Sequence, residues 1–207
     1  MPDPLAAALA AARPYPAYRR HLTALLGEGR TTGPNPSEAY LEFARLNEAR
    51  MDRLDRRPRL RDDLRALLGD LRRGYRLLAL SEGWCGDAAQ TLPVWQWVAE
   101  ASPRVTLAVA LRDEHPDLMD GYLTDGGRSI PKVLFLDAAT DEVLADWGPR
   151  PLVAQAMSRA YRRRPEPKPA YEEHQRELHR WYARDKTAST QAEILALLRW
   201  LEETSRR

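Results

Sequence analysis

The chain of 207 residues is long enough for one domain with additions and buries roughly 70% of its unfolded surface, so its core needs no disulfide or metal. With 43% hydrophobic and 30% charged residues it has the composition of a folded globular protein, not a disordered one. Thirty-two cationic against 30 acidic side chains leave a formal charge of +2, which excludes nucleic acid or anionic membrane as the main binding partner.

The chain begins with an apolar run over residues 5–12. It follows Asp3, has no upstream positive charge and ends at Arg13 and Pro14, the reverse of a secretory signal. No stretch approaches the roughly 18 apolar residues of a membrane span, so a cytoplasmic protein is expected. Residues 1–73 read as a helical extension. Residues 15–26 place Tyr18, Leu22, Leu25 and Leu26 on one stripe, closed by Gly27 and Gly29. Ser37 is a good N-cap for a helix carrying Tyr40, Phe43, Ala44, Met51 and Leu54, a stripe interrupted by Asn47 and closed at Pro58. A third amphipathic piece covers residues 60–71.

At Gly74 the pattern changes to that of an α/β core, residues 74–163. Residues 75–80 form a short apolar strand, and a helix follows to about Glu100. Residues 105–111 are apolar on both faces, as suits a buried parallel strand. A short helix over 116–124 precedes strands at 132–136 and 142–147, whose five-residue separation is hairpin length. Residues 152–163 are helical, and 163–169 form a charged, proline-rich connection. The last stretch, 164–207, reads as a helical extension packed on the core, with helices at 171–183 and 189–203. The second carries Ile194, Leu197, Leu198 and Leu201 on one stripe.

Cys85 is the one cysteine, so neither an intramolecular disulfide nor a thiolate metal cluster within one chain is possible. It stands in Trp84-Cys85-Gly86-Asp87-Ala88, where a strand hands over to a helix. The first N–H groups of a helix have no intrahelical partner and carry the positive end of the dipole, so a cysteine there has its thiolate favoured. Asp87 opposes this unless its carboxylate caps free N–H groups. The dipole and N–H contacts are expected to win, lowering the thiol pKa modestly.

The strand, the Trp84-Cys85-Gly86 turn, the helix and the later Ile130-Pro131 before a strand together resemble the thioredoxin superfamily. The resemblance covers residues 75–163. It matches Cys85 to the first cysteine of that family's Cys-x-x-Cys, Pro93 to the helix proline eight residues later, and Pro131 to the cis proline facing the cysteine. Gly148 matches the small residue near the last strand that lines the groove. Residues 84–93 and 126–131, with the flanks 40–57 and 181–186, are similar to a bacterial thioredoxin-like group with helices at both ends. The implied fold is thioredoxin-like α/β, a central mixed sheet of about four strands with added N- and C-terminal helices.

Two departures stand out. The family's second, resolving cysteine corresponds to Ala88, and its buried carboxylate, six residues before the first cysteine, to Ala79. What the resemblance implies is therefore a monothiol thiol–disulfide oxidoreductase in which Cys85 is catalytic and forms a mixed disulfide that an external thiol resolves. Trp84, Gly86, Asp87, Arg128, Ser129, Ile130, Pro131 and Gly148 would form the substrate groove, the backbone of Ile130 being free to pair with an extended segment. The partner would be a cysteine-containing protein or a small-thiol disulfide, with glutathione or bacillithiol as co-substrate and no bound cofactor. The alternative is a redox-inert binding or scaffold module on the same fold. A sulfenic-acid peroxide sensor is disfavoured because no second cysteine can cap that state.

The remaining residues are read plainly. Arg128 either meets the carboxylates of an acidic thiol or is a solvated arginine. Asn47 is a satisfied buried polar group, and at least one of Trp95 and Trp97 is core. His174 and His179, five apart, do not share a helix face, so no metal site is assigned. Arg162, Arg163 and Arg164 form a solvated helix end. Nothing in the sequence fixes an oligomeric state.

Overall fold

The computed structural model describes residues 3–34 and 37–204. Asp3 accepts the Leu5 N–H and starts α1 (Pro4–Ala11). Between α1 and α2 (Tyr15–Gly27), Arg13–Pro14 forms a two-residue strand, β1, where helix was expected. The Ser37 hydroxyl accepts the Tyr40 N–H and caps α3 (Glu38–Asp55), and α4 (Asp62–Gly69) is shorter than its apolar pattern suggested. On α3 the buried positions are Leu41, Ala44, Asn47, Met51 and Leu54; Phe43, expected in the core, is 42% exposed.

The α/β core follows: β2 (Tyr75–Ser81), α5 (Gly86–Ala101), β3 (Val105–Leu111), a 3-10 turn at Arg112–Glu114, α6 (Pro116–Asp120), β4 (Lys132–Asp137), β5 (Val143–Trp147) and α7 (Leu152–Arg163). The sheet order is β1-β3-β2-β4-β5, with β2 parallel to β3 and the other pairs antiparallel. This mixed sheet flanked by helices is a thioredoxin-like α/β fold with additions. It has five strands where four were expected, because Arg13 and Pro14 pair with Val109 and Ala108 along the outer edge of β3. Two residues, one of them proline, carry no periodic signal, yet they pair with the middle of an otherwise open edge.

β2 and β4 are central and almost wholly buried, which is why both read as continuous apolar runs. Trp95 of α5 meets Phe135 and Trp147 edge-on at 5.4 and 5.3 Å between ring centres. Trp95 and Trp97 are both core. Ala8, Tyr15, Tyr18 and Leu22 from the N-terminal helices and Ile194, Leu195, Leu198 and Leu201 from α9 (Ala188–Thr204) belong to the same hydrophobic cluster as the sheet. The α9 helix is also tied to the core by polar contacts. Tyr75 donates to Glu202 at 2.7 Å, and the Trp147 indole donates to Glu193 at 2.8 Å. Between α7 and α9, α8 (Tyr171–Asp185) packs Leu178 and Tyr182 against Ala154. No helix is long and apolar enough to cross a membrane among the described residues.

Candidate functional site

Cys85 is the N-cap of α5. Its backbone is extended and its sulfur accepts the Ala88 N–H at 3.5 Å, so the residue occupying the second-cysteine position supplies a donor in place of a thiol. Its thiol donates to the Ile130 carbonyl at 3.2 Å across the start of β4. The Ile130–Pro131 peptide is cis. The sulfur-bearing residue is only 7% exposed, and it lies at the floor of a cavity of about 910 Å³.

The expected lowering of the thiol pKa is overturned. Burial, followed by the Asp87 charge, pushes Cys85 up to about 12; the Ala88 N–H, Arg150 and the Asp87 N–H pull down but do not prevail. The helix terminus still favours the thiolate, but the cost of taking that charge out of water outweighs the gain.

Nor does Asp87 cap N–H groups of its own turn. Its Oδ2 accepts from Arg150 Nε and Nη2 at 2.9 and 2.6 Å, and its Oδ1 accepts the Tyr182 hydroxyl at 2.7 Å. This clamp ties the Cys85 turn to the loop after β5 and to α8. Gly86 permits the approach: a Cβ there would lie 2.8 Å from His179 Nε2 and 2.9 Å from Cε1. Helix α8 therefore stands directly over the Cys85 turn. Burial and then the Arg50 charge pull His179 down to about 4, so it is neutral at physiological pH.

The cavity walls come from three places. From α3, Tyr40 stacks on Trp84 (4.9 Å, 16° between planes), while Phe43, Leu46 and Arg50 project inward. Asn47 donates to the Gly83 carbonyl at 3.1 Å and accepts from Arg50 at 2.8 Å, which makes it a satisfied polar group bracing the turn. From the segment before β4 come Arg128, Ser129 and Ile130, with Arg112 lying 5.0 Å over the Trp84 ring. From α8 come Arg176, His179 and Arg180 on one face, while His174 points away towards Ser158.

Of the expected groove residues, Trp84, Gly86, Asp87, Arg128, Ser129 and Ile130 line the cavity with Cys85; Pro131 and Gly148 do not. Gly148 instead packs behind the wall. At φ +124° a Cβ would come within 2.2 Å of the Pro131 carbonyl, so only glycine fits. Arg128 is engaged by Asp120 at 2.6 and 2.7 Å. The Ile130 carbonyl accepts the Cys85 thiol, a weak donor that takes one of its two lone pairs.

Sequence reading missed Arg50, Arg150, Tyr182 and the arginines of α8. The one available signal was the spacing of Arg176, His179, Arg180 and Ala183, which share a helix face. Among the described residues no group of three or more His, Cys, Asp or Glu side chains could hold a metal ion.

No curated protein matches the chain. Among solved structures it is similar to a protein of unknown function from Pseudomonas aeruginosa, at 21% identity and TM-score 0.53, covering 86% of this chain and 91% of that one. It is also similar to an HIV 4E10 epitope-scaffold, at 20% identity and TM-score 0.56, covering 94% and 96%. At these identities the likeness concerns the fold alone. Residues 33–162 match the family described as Thioredoxin, a span that holds β2 to β5, the Cys85 turn and the Ile130–Pro131 peptide. The chain therefore belongs to the thioredoxin family.

Proposed function

We propose that this protein is a monothiol thiol–disulfide oxidoreductase acting through Cys85. The observation that carries the reading is the placement of the chain's one cysteine: it N-caps α5 at the floor of the cavity, with Ala88 where a second thiol would stand. In the first step the Cys85 thiolate attacks one sulfur of a disulfide X–S–S–Y. The S–S bond breaks, Y leaves with the electron pair as a thiolate and takes a proton from water, and X remains on Cys85. An external thiol Z–SH, as its thiolate, then attacks the sulfur of X, giving X–S–S–Z and returning the Cys85 thiolate. The net reaction is X–S–S–Y + Z–SH → X–S–S–Z + Y–SH, which needs no bound cofactor. Glutathione or bacillithiol suits Z, and a cysteine-containing protein or small-thiol disulfide suits X–S–S–Y.

In this cycle the Ala88 N–H meets the charge that develops on sulfur, and the Ile130 carbonyl gives up its bond when the thiol proton leaves. A thiol held up to about 12 is rarely ionised at neutral pH, so attack is slow. The same property makes Cys85 a poor leaving group, and the mixed disulfide is correspondingly long-lived. The test is intact-mass spectrometry of the protein with the neutral 2-hydroxyethyl disulfide. One adduct, accumulating slowly at Cys85 and released by added glutathione, supports the reading.

A second reading, a redox-inert binding module on the thioredoxin fold, is favoured by the buried, protonated state of Cys85 and the engagement of Asp87 in the clamp. It predicts no adduct in the folded protein, and ligand affinity that survives Cys85→Ala.

A further inference from the structure

We infer that the cavity above Cys85 binds a low-molecular-weight thiol bearing two or more acid groups, held by Arg50 of α3 and by Arg176 and Arg180 of α8. This names the group that Cys85 would carry and rests on the exchange reading for that role alone.

Six arginines line the cavity against two carboxylates, Asp87 and Glu172. Three of the six are already engaged: Arg150 with Asp87, Arg112 with Asp113 and Arg128 with Asp120. Arg50, Arg176 and Arg180 have no carboxylate partner among the described residues. Arg50 is half-buried, with Nη1 held by Asn47 at 2.8 Å, and it would lie 3.6 Å from a Cβ on Gly86, beside the cysteine turn. An arginine braced by Asn47 beside the cysteine turn, with Arg176 and Arg180 exposed at the rim of the same cavity, makes a receptor for anionic groups.

The size of the cavity suits a small molecule. The cavity, about 910 Å³, is within the range of small-molecule sites, roughly 300–1,000 Å³. Cys85 lies at its floor beneath α8, which the Tyr182–Asp87 bond holds in place. At the groove edge the Arg128 carbonyl accepts from Arg112 Nη1 at 3.1 Å and the Ile130 carbonyl from the Cys85 thiol, which leaves the arginines as the strongest donors a ligand meets. Trp84, stacked on Tyr40, supplies an apolar wall for the neutral part of the ligand.

The experiment is calorimetric titration of the full chain with four unreactive probes: S-methylglutathione, its diethyl ester, S-methyl coenzyme A and a nine-residue glutamate-rich peptide. Binding of an acidic probe about ten-fold tighter than the ester is expected, from the strength of charge-assisted hydrogen bonds. The Arg176→Gln/Arg180→Gln variant should bind that probe no tighter than the wild type binds the ester. A preference for S-methylglutathione assigns carboxylates as the recognised groups, and one for S-methyl coenzyme A assigns phosphates. Equal affinity for probe and ester, a preference unchanged in the double variant, or tighter binding of the peptide would each overturn the inference. The adduct with neutral 2-hydroxyethyl disulfide tests the exchange reading separately, because none of these probes reacts with Cys85.

Discussion

Replacing Asp87 by asparagine separates the two consequences of the clamp, one for stability and one for the thiol. The substitution keeps shape and leaves Oδ1 to accept the Tyr182 hydroxyl, but it removes the charge that Arg150 meets at 2.6 and 2.9 Å. Asp87 is 8% exposed and the Arg150 side chain 17%, so the arginine is left as a largely buried cation facing an amide. Removing one partner of a buried pair costs about 3–5 kcal/mol, and retention of the Tyr182 bond puts this case at the lower end, about 3 kcal/mol. For a chain of this length each kcal/mol moves Tm by about 2–4 °C, so a drop of about 6–12 °C is expected by calorimetry. The thiol should respond in the opposite sense. Asp87 is the second cause holding Cys85 up, and Arg150 pulls it down, so the variant thiol ionises at lower pH and alkylates faster with iodoacetamide at pH 8. An unchanged Tm together with an unchanged or slower alkylation rate would refute the role assigned to the clamp.

Gly86→Ala should lift α8, since its Cβ would meet His179 at 2.8 Å; faster amide exchange over residues 171–185, with β2 and β3 unaffected, is the expected signature. Ala88→Cys places a second thiol one helical turn from Cys85, and after mild oxidation alkylation should find no free thiol. The pH dependence of stability has two arms. His179 is lowered in the folded state, so its contribution is present above the ordinary value of 6.5 and is lost as pH falls towards about 4; His179→Gln should flatten that acid limb. Cys85 is raised, so its contribution is present below the ordinary value of 9 and is lost as pH rises towards about 12; Cys85→Ala should lose less stability over that alkaline window.

The parts of the fold that were legible in the sequence are those with strong periodicity or punctuation. β2 and β3 announced themselves as apolar runs, and Ser37 marked the start of α3. The end of α2 was readable from Gly27 and Gly29, and Gly29 does adopt φ +69°. β1 escaped because its role is set by the open edge of β3, which no local pattern encodes. α3 misled at Phe43 because an apolar residue lining a cavity and one filling a core look alike in sequence.

At the site, Cys85 and Ile130 were legible because the turn and the proline mark them. Arg150 and Tyr182 were not, lying 63 and 95 residues from Asp87, and their meeting depends on how α7 and α8 pack. The sign of the thiol shift was misjudged for the same reason. Helix-terminus electrostatics are visible in sequence, whereas the enclosure by α8 that outweighs them is a tertiary fact.

The most direct measurement is the rate of mixed-disulfide formation at Cys85 with glutathione disulfide, followed by intact mass from pH 7 to above pH 10 in folded protein and in protein unfolded by urea. The account predicts a single adduct in the folded chain, forming more slowly than in the unfolded one and accelerating about ten-fold per pH unit throughout, as a thiol pushed up to about 12 requires. A folded chain that stays unmodified at every pH while the unfolded chain takes its adduct would contradict it, and the binding-module reading would then stand in its place.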